Sequence, residues 1–337
     1  MSVDRIGVGE SSVRPASTEI TLANRWDHLL ARLGHNRMGH RVEPGLHSIG
    51  GPGPTSPVFV TANYTLSFDA LRSALVGMDG WILVLETEGI NVWCAAGKGT
   101  FGTDELVRRI EASRLKEVVT QRVVVLPQLG APGVAAHEVK RRSGFSVEYG
   151  PVRAADLPEY LRSRQATPEM RRVRFTLRDR LAVALVDVVH GLLPMAAAGL
   201  LGLLLGGPLA VVAILVAGLA GVLLFPILLP WLPTREFSSK GLLLGTLVIL
   251  PCAAAVFLRD PAGPVWLRAG WSLSYLLAFA PVTAFLALLF TGSTTFTSRS
   301  GVRREMFAYI RPMAAMFVLG IGLATVIALV QVFGGVS

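Results

Sequence analysis

Two hydrophobic regimes divide the chain. From residue 58 to 164, short apolar runs alternate with amphipathic stretches, whereas beyond residue 180 one long apolar run follows another. The pattern in the first regime predicts a strand over 58–64 and a helix that Ser67 caps and that runs to Val76, with Phe68, Leu71, Ala74 and Leu75 on one side. The continuous apolar run at 81–86 has the character of a strand buried on both faces. Thr103 is placed to cap a helix that has Asp104 and Glu105 in its first turn and Leu106, Val107 and Ile110 inward. Strands over 123–126 and 145–149 alternate with helices over 132–141 and 156–164. This alternation argues an open, mainly parallel α/β sheet of Rossmann-like type. Ligands of such sheets bind beyond the carboxyl ends of the strands. The loops at 61–66, 87–102, 127–134 and 150–154 all follow strands, so they can face one site.

Ahead of that domain, residues 1–22 are polar and are expected to lack regular structure, and 24–33 has the pattern of a short amphipathic helix. His28, His35, His40 and His47 follow at spacings that build no compact ligand set, and surface histidines are the expectation. The Gly/Pro stretch at 50–54 interrupts any element. The domain division expected is an N-terminal extension over 1–40, an α/β domain over 41–165, a basic linker over 166–180 and a transmembrane domain over 181–337.

The second regime reads as five spans near 181–205, 208–232, 241–258, 270–291 and 313–333. Each approaches the ~20 apolar residues that cross a bilayer. Arg171, Arg172, Arg174, Arg178 and Arg180 precede the first; Arg235 and Lys240 lie between the second and third; Arg299, Arg303, Arg304 and Arg311 precede the last. The opposite side holds Arg259 and Arg268, with Asp260. The positive-inside bias therefore places the N-terminal domain in the cytoplasm and the C-terminus outside a cytoplasmic membrane. Asp187 and His190, three apart, share one helix face, either as groups near the water boundary or as part of a transport or proton path. Pro194, Pro226, Pro230, Pro251 and Pro281 suggest kinks, and Cys252 reads as a packing residue.

Composition adds two constraints. The net charge of +9 is mostly arginine near the membrane boundary, without the basic–aromatic interleaving of a nucleic-acid surface. The two cysteines, Cys94 and Cys252, are far apart and form no C-x-x-C pair, so no structural zinc site or internal iron–sulfur cluster is expected. The first residues contain no apolar segment of the signal-peptide kind.

Candidate chemistry concentrates at Asn91-Val92-Trp93-Cys94-Ala95-Ala96-Gly97-Lys98, which holds the one cysteine of the polar half. A thiol beside Ala95, Ala96 and Gly97 can reach a flat, bulky partner, and a thiolate is a soft metal ligand. Equally, a lone cysteine can be a small core hydrophobe, and 92–94 could be one strand of a hairpin. A phosphate-loop reading fails, because Val92 stands where the first glycine belongs and Gly99 where the hydroxyl belongs.

These eight residues resemble the cap-helix motif of the corrinoid protein of microbial mercury methylation. That family is related to the small subunit of the corrinoid iron–sulfur protein of the acetyl-CoA pathway. The segments at 58–64, 128–134 and 149–153 are similar to it at corresponding places, and the resemblance is close over roughly residues 40–160. It implies a membrane-anchored methyltransferase that carries a base-off corrinoid (cobalamin-type), with Cys94 as lower axial ligand to cobalt. Asn91 and Trp93 would orient the cap, Ala95 and Gly97 would admit the ring, and Lys98 would lower the thiol's pKa or simply face solvent. Thr61, Asn63, Gly130, Ala131 and Gly133 would contact the corrin edge. Methyl would leave as carbanion or radical toward Hg(II). The implied partners are a small ferredoxin-like protein with two four-iron clusters and a folate-dependent methyl donor. Two other functions stay open: a corrinoid methyl carrier for a biological one-carbon acceptor, and a membrane transport or sensor protein whose α/β domain binds something else.

Overall fold

The structure, a computed structural model, describes residues 13–36, 38–294 and 296–334. The chain divides into two compact units, Met1–Arg174 and Phe175–Ser337.

Unit 1 is an α/β domain on a mixed, mainly parallel sheet. In chain order its elements are β1 (Arg14–Ala16), α1 (Leu22–Arg32), β2 (Gly45–Ile49), β3 (Val58–Ala62), α2 (Thr65–Ala74), β4 (Gly80–Leu85), α3 (Val92–Lys98), α4 (Thr103–Ala112), α5 (Leu115–Val118), β5 (Val123–Leu126), α6 (Ala136–Ser143), β6 (Ser146–Tyr149), α7 (Leu157–Ser163) and α8 (Pro168–Arg171). The strand order is β1-β2-β4-β3-β5-β6, and every neighbouring pair is parallel except β2 with β4. β3 and β4 are apolar at nearly every position because both faces are covered. Val58, Val60, Leu83 and Leu85 pack with α3, α4, α5 and α6 on one face. Phe59, Ile82, Val84 and Val125 pack with α2, α7 and α8 on the other. The chain runs from β3 out to β4 on one side and then back past β3 to β5 on the other, so the crevice between β3 and β5 is the topological switch point where such sheets take ligands.

Several boundaries differ from the pattern's prediction. Of the stretch expected to be irregular, 1–12 lies outside the described residues, but β1 extends the sheet by pairing with β2. α2 starts at Thr65 rather than being capped by Ser67, because the His40 carbonyl accepts the Thr65 N–H at 3.1 Å from another segment. α4 is capped by Gly102, not Thr103. The Thr103 hydroxyl instead accepts the Ala135 N–H at 2.8 Å, and its own N–H reaches the Gly133 carbonyl at 3.2 Å.

Unit 2 is helical throughout. α9 (Leu177–Leu219) runs through a π turn at Ala220–Leu224 into α10 (Phe225–Leu228), followed by α11 (Phe237–Leu258), α12 (Val265–Leu289) and α13 (Arg299–Gly334). Among the described residues, four helical stretches are long and apolar enough to cross a membrane: Leu177–Leu228, Phe237–Leu258, Val265–Ser293 and Ser300–Phe333. Five spans were expected, and the count differs because the first stretch contains two of them. A straight helix of 52 residues would be about 78 Å long, against ~30 Å of bilayer hydrocarbon. It is not straight: Gly207, at φ 72° and ψ −169°, breaks the helix just ahead of Pro208, which has no N–H to continue it. Beyond the break the chain folds back, so that Gly218 faces Met195 and Gly202 faces Ile214. The buried Arg180 guanidinium, near the beginning, donates to the carbonyls of Pro226 (3.0 Å) and Ile227 (2.7 Å), near the end.

α11 and α12 approach at Gly241 and Gly245, where small residues let backbones come close. Cys252 is buried with Ala213, Ala217, Ile249 and Tyr275, as a packing residue. Asp187 is half-buried and His190 is exposed, its Nδ1 2.8 Å from the Val186 carbonyl.

Candidate functional site

The loop between β4 and α3 is built around one amide. Asn63 follows the carboxyl end of β3 and is 1% exposed. Its Oδ1 accepts the N–H groups of Thr87 and Gly89, each at 3.0 Å, and lies 2.8 Å from the Thr87 hydroxyl. Its Nδ2 donates to Glu86 Oε1 at 2.9 Å. Those bonds hold a turn with two consecutive left-handed residues, Glu88 (φ 60°) and Gly89 (φ 70°). Glu105, from α4, supports the turn from below by accepting the Glu86 N–H at 2.8 Å.

α3 follows immediately, a helix of seven residues rather than a hairpin strand. Asn91 caps it, accepting the Cys94 N–H at 3.0 Å, and Gly99 ends it at φ 92°. Val92, Ala95 and Ala96 point into the core, Trp93 and Cys94 are half-buried, and Gly97 and Lys98 are exposed. The two alanines are therefore inner-face residues. What leaves space next to the thiol is Gly97, three positions on, while Lys98, four on, shares its face. Among the described residues the Cys94 side chain makes no hydrogen bond.

The loop after β5 closes the site from the side. α3 packs on β3 and on the short turn Gln128–Gly130. Gly130 is buried against the Phe101 ring, which a Cβ would meet at 2.5 Å. At Gly133 a Cβ would collide with the Phe101 carbonyl and stand 3.0 Å from Ala96 Cα. Ala131, between them, is half-buried. The Tyr149 hydroxyl, at the end of β6, donates to the Val134 carbonyl at 2.6 Å and ties that strand end to the loop after β5. Thr61, near the carboxyl end of β3, is buried within the sheet.

Of the residues singled out in the sequence, Asn63, Asn91, Trp93, Cys94, Ala95, Gly97, Lys98, Gly130, Ala131 and Gly133 thus come together at the carboxyl edge of β3, β4 and β5. Two of them, Asn63 and Asn91, hold backbone in place. Thr87, Phe101, Thr103 and Glu105 also shape the site. Sequence reasoning missed them because nothing in their spacing announces a partner thirty residues away. The glycines around Phe101 were the available signal.

Chemically, the site is an α/β ligand edge with one soft donor. No cluster of three or more His, Cys, Asp or Glu that could hold a metal occurs among the described residues, so Cys94 belongs to no such ligand set there. A planar macrocycle bringing its own metal suits that donor set. The thiol stands free beside a residue without a side chain, on a face where the neighbouring alanines are turned away.

Comparison with known proteins finds a family match within unit 1. Residues 34–161, which enclose the whole site, match the family described as CO dehydrogenase/acetyl-CoA synthase delta subunit. The acetyl-CoA decarbonylase/synthase complex subunit gamma of Archaeoglobus fulgidus is 36% identical over 123 residues, covering 36% of this chain and 26% of that protein. The corresponding subunit of Methanopyrus kandleri is 34% identical over 127 residues (37% and 27%). That of Methanothermobacter thermautotrophicus is 27% identical over 172 residues (45% and 37%). The chain spans about a quarter of the length of the first two relatives, and the similarity to the family lies within unit 1.

Proposed function

We propose that unit 1 binds a corrinoid at the carboxyl edge of β3, β4 and β5 and serves corrinoid-dependent methyl transfer, with unit 2 holding it at a membrane. The observation that carries this is the unpartnered, half-exposed Cys94 thiol on a short capped helix above the switch point, with Gly97 open beside it. The resemblance of the 91–98 motif to corrinoid proteins and the match of residues 34–161 support the same reading. When bound, the corrinoid supplies a cobalt centre that carries the methyl group.

The chain's own residues have separable tasks. Cys94 would hold the metal, and as a thiolate it would donate electron density to it, one of the few levers a protein has on such a centre. Asn91 fixes the turn from which the thiol projects, and Asn63 fixes the loop that leads into it. Gly97, Gly130, Ala131 and Gly133 keep the edge low, and Trp93 borders it. With Cys94 holding the metal, the corrinoid would be bound base-off.

Two acceptors follow from different observations. A thiolate ligand favours departure of methyl toward an electrophilic soft metal, so Hg(II) is the substrate that Cys94 favours, with methylmercury as product. The similarity to acetyl-CoA decarbonylase/synthase subunits favours a biological one-carbon acceptor, with the chain as methyl carrier. Either reaction needs a methyl source, for which a folate-dependent methyltransferase is the proposed class. The Hg(II) reaction, in which methyl would leave as a carbanion, also needs two low-potential electrons per turnover, for which a small ferredoxin-like protein with two four-iron clusters is proposed.

We propose five crossings for unit 2, with the fold-back at Gly207 on the outer side, unit 1 in the cytoplasm and the C-terminus outside. This uses both arms of Leu177–Leu228 and keeps the arginine-rich loops on one side. The test is the full chain in detergent, reconstituted with methylcobalamin, as wild type and as Cys94→Ala. Both should retain corrinoid but differ in visible spectrum, and only the wild type should methylate added Hg(II). Absence of corrinoid from both would remove the methyl-transfer reading. Identical spectra would remove Cys94 from the metal and leave the one-carbon carrier.

A further inference from the structure

α1 is mounted inside out. A helix on a domain surface ordinarily turns its apolar stripe toward the core. α1 has no buried residue, and Leu22, Trp26 and Leu29, at i, i+4 and i+7, are 82%, 62% and 38% exposed. What fastens it to the domain is its polar side. His28 Nε2 lies 2.7 Å from Asp69 Oδ2, and Asp69 Oδ1 accepts from the Arg72 Nε at 2.6 Å. Asp27 Oδ1 lies 2.7 Å from the Nδ1 of His40. Asp69, Arg72 and His40 are buried, so these anchors are fixed. Arg25 and Arg32 are exposed and line one edge of the apolar stripe, while the one acid of α1, Asp27, is engaged with His40. The outward face is thus Leu, Trp and Leu bordered by two cations.

We propose that this face of α1 seats on an anionic lipid surface, with the Trp26 indole at headgroup level and Arg25 and Arg32 on lipid phosphates. The inference rests on the reading of unit 2 as membrane-embedded. Three observations favour lipid over another occupant. Trp and Leu bordered by arginine is the composition of helices that lie in a membrane interface. The charge is complementary to anionic headgroups, and the same chain carries Arg171, Arg172 and Arg174 just before its first long apolar helix. A second copy docked across a two-fold would set Arg25 and Arg32 against their own like. A membrane-seated α1 would be a second attachment for unit 1, beside its covalent link to unit 2, and would restrict the orientations in which the Cys94 edge meets its partners.

The experiment uses the full chain in liposomes of phosphatidylcholine and phosphatidylglycerol, with and without bromine on the phosphatidylglycerol chains. The emission of Trp26 is isolated as the difference between wild type and Trp26→Phe. Brominated lipid should quench that difference signal at least about twofold, and Arg25→Glu combined with Arg32→Glu should abolish the quenching. A Trp26 signal that ignores brominated lipid but is quenched by aqueous iodide would overturn the proposal. So would a photo-reactive benzoylphenylalanine at Leu29 that links to a second chain instead of lipid. Extraction of the whole chain by alkaline carbonate would overturn the embedded reading of unit 2, whereas an embedded chain with an unquenched Trp26 overturns only the seating of α1.

Discussion

Asn63 Oδ1 lies 2.8 Å from the Thr87 hydroxyl and accepts the Thr87 N–H at 3.0 Å, so the end of β3 holds the loop that presents Cys94. Removing the amide leaves two backbone N–H groups without their acceptor in a buried place. Each such loss costs roughly 1–3 kcal/mol. Asn63→Ala should therefore destabilise unit 1 by about 3 kcal/mol and speed amide exchange across 87–98. Asn63→Asp keeps the acceptor but replaces the donor to Glu86 by a second carboxylate, so it should recover only part of the loss. An Asn63→Ala variant with wild-type exchange at Thr87 and Gly89 would contradict this account.

Gly133 and Gly99 separate two reasons for glycine. At Gly133 a Cβ meets the backbone of Phe101 and Ala96, so the loop after β5 and α3 must part. At Gly99 nothing lies within 4 Å, and only the positive φ of 92° resists a side chain. Gly133→Ala should cost about 1–3 kcal/mol and weaken corrinoid retention. Gly99→Ala should cost about 1 kcal/mol and leave retention unchanged. Thermal midpoints and spectrophotometric titration with cobalamin distinguish the two.

Arg180 closes the fold-back of unit 2 by donating to the carbonyls of Pro226 and Ile227. Hydrogen bonds from a charged donor contribute roughly 1.5–3 kcal/mol. Arg180→Ala should lower the thermal midpoint of the detergent-solubilised chain and reduce cross-linking between cysteines introduced near residues 180 and 227. Arg180→Lys should keep part of both, since one ammonium reaches the carbonyls without the planar fork. Unchanged cross-linking in Arg180→Ala would show that the two arms stay together without it.

His40 sets a pH dependence on the attachment of α1. Burial alone would lower its pKa, but the hydrogen bonds to the His35 carbonyl and to Asp27, with the Asp27 charge, outweigh it and hold it above the ordinary 6.5. Because the folded value is raised, the stabilisation is present in full below the ordinary value and is lost as pH rises through the folded one. The stability difference between wild type and His40→Gln should therefore shrink on going from about pH 5.5 to pH 8.5. His47 works in the opposite sense: burial lowers its pKa, so its neutral form loses stability as the pH falls below 6.5. A His40→Gln difference that grows with pH would refute the assignment.

The sequence by itself determined the elements that follow from local pattern and from runs too long to mean anything else. The apolar strand 123–126 appears as β5, at Val123–Leu126, because a run buried on both faces leaves no other reading. The long apolar stretches after residue 180 are helices, the conformation in which a continuous apolar run satisfies its own backbone groups. The 91–98 motif singled out the segment that folds as α3, with Asn91 as its cap. Tertiary structure alone decided the rest. Gly45–Ile49, with His47 and Ser48 in its middle, has no strand pattern, and becomes β2 only because β4 offers an antiparallel edge. Asn63 becomes the holder of a distant loop because three donors from 87–89 converge on it once β3 and β4 pair. The break at Gly207 falls where the sequence already parts the spans near 181–205 and 208–232, but the pairing of the two arms, Gly202 with Ile214 and Gly218 with Met195, came from the fold. The amphipathic pattern of α1 predicted a helix correctly. Which face it would bury was settled by Asp69 and His40, whose buried charge and hydrogen bonds held its polar side and left Leu22 and Trp26 outside.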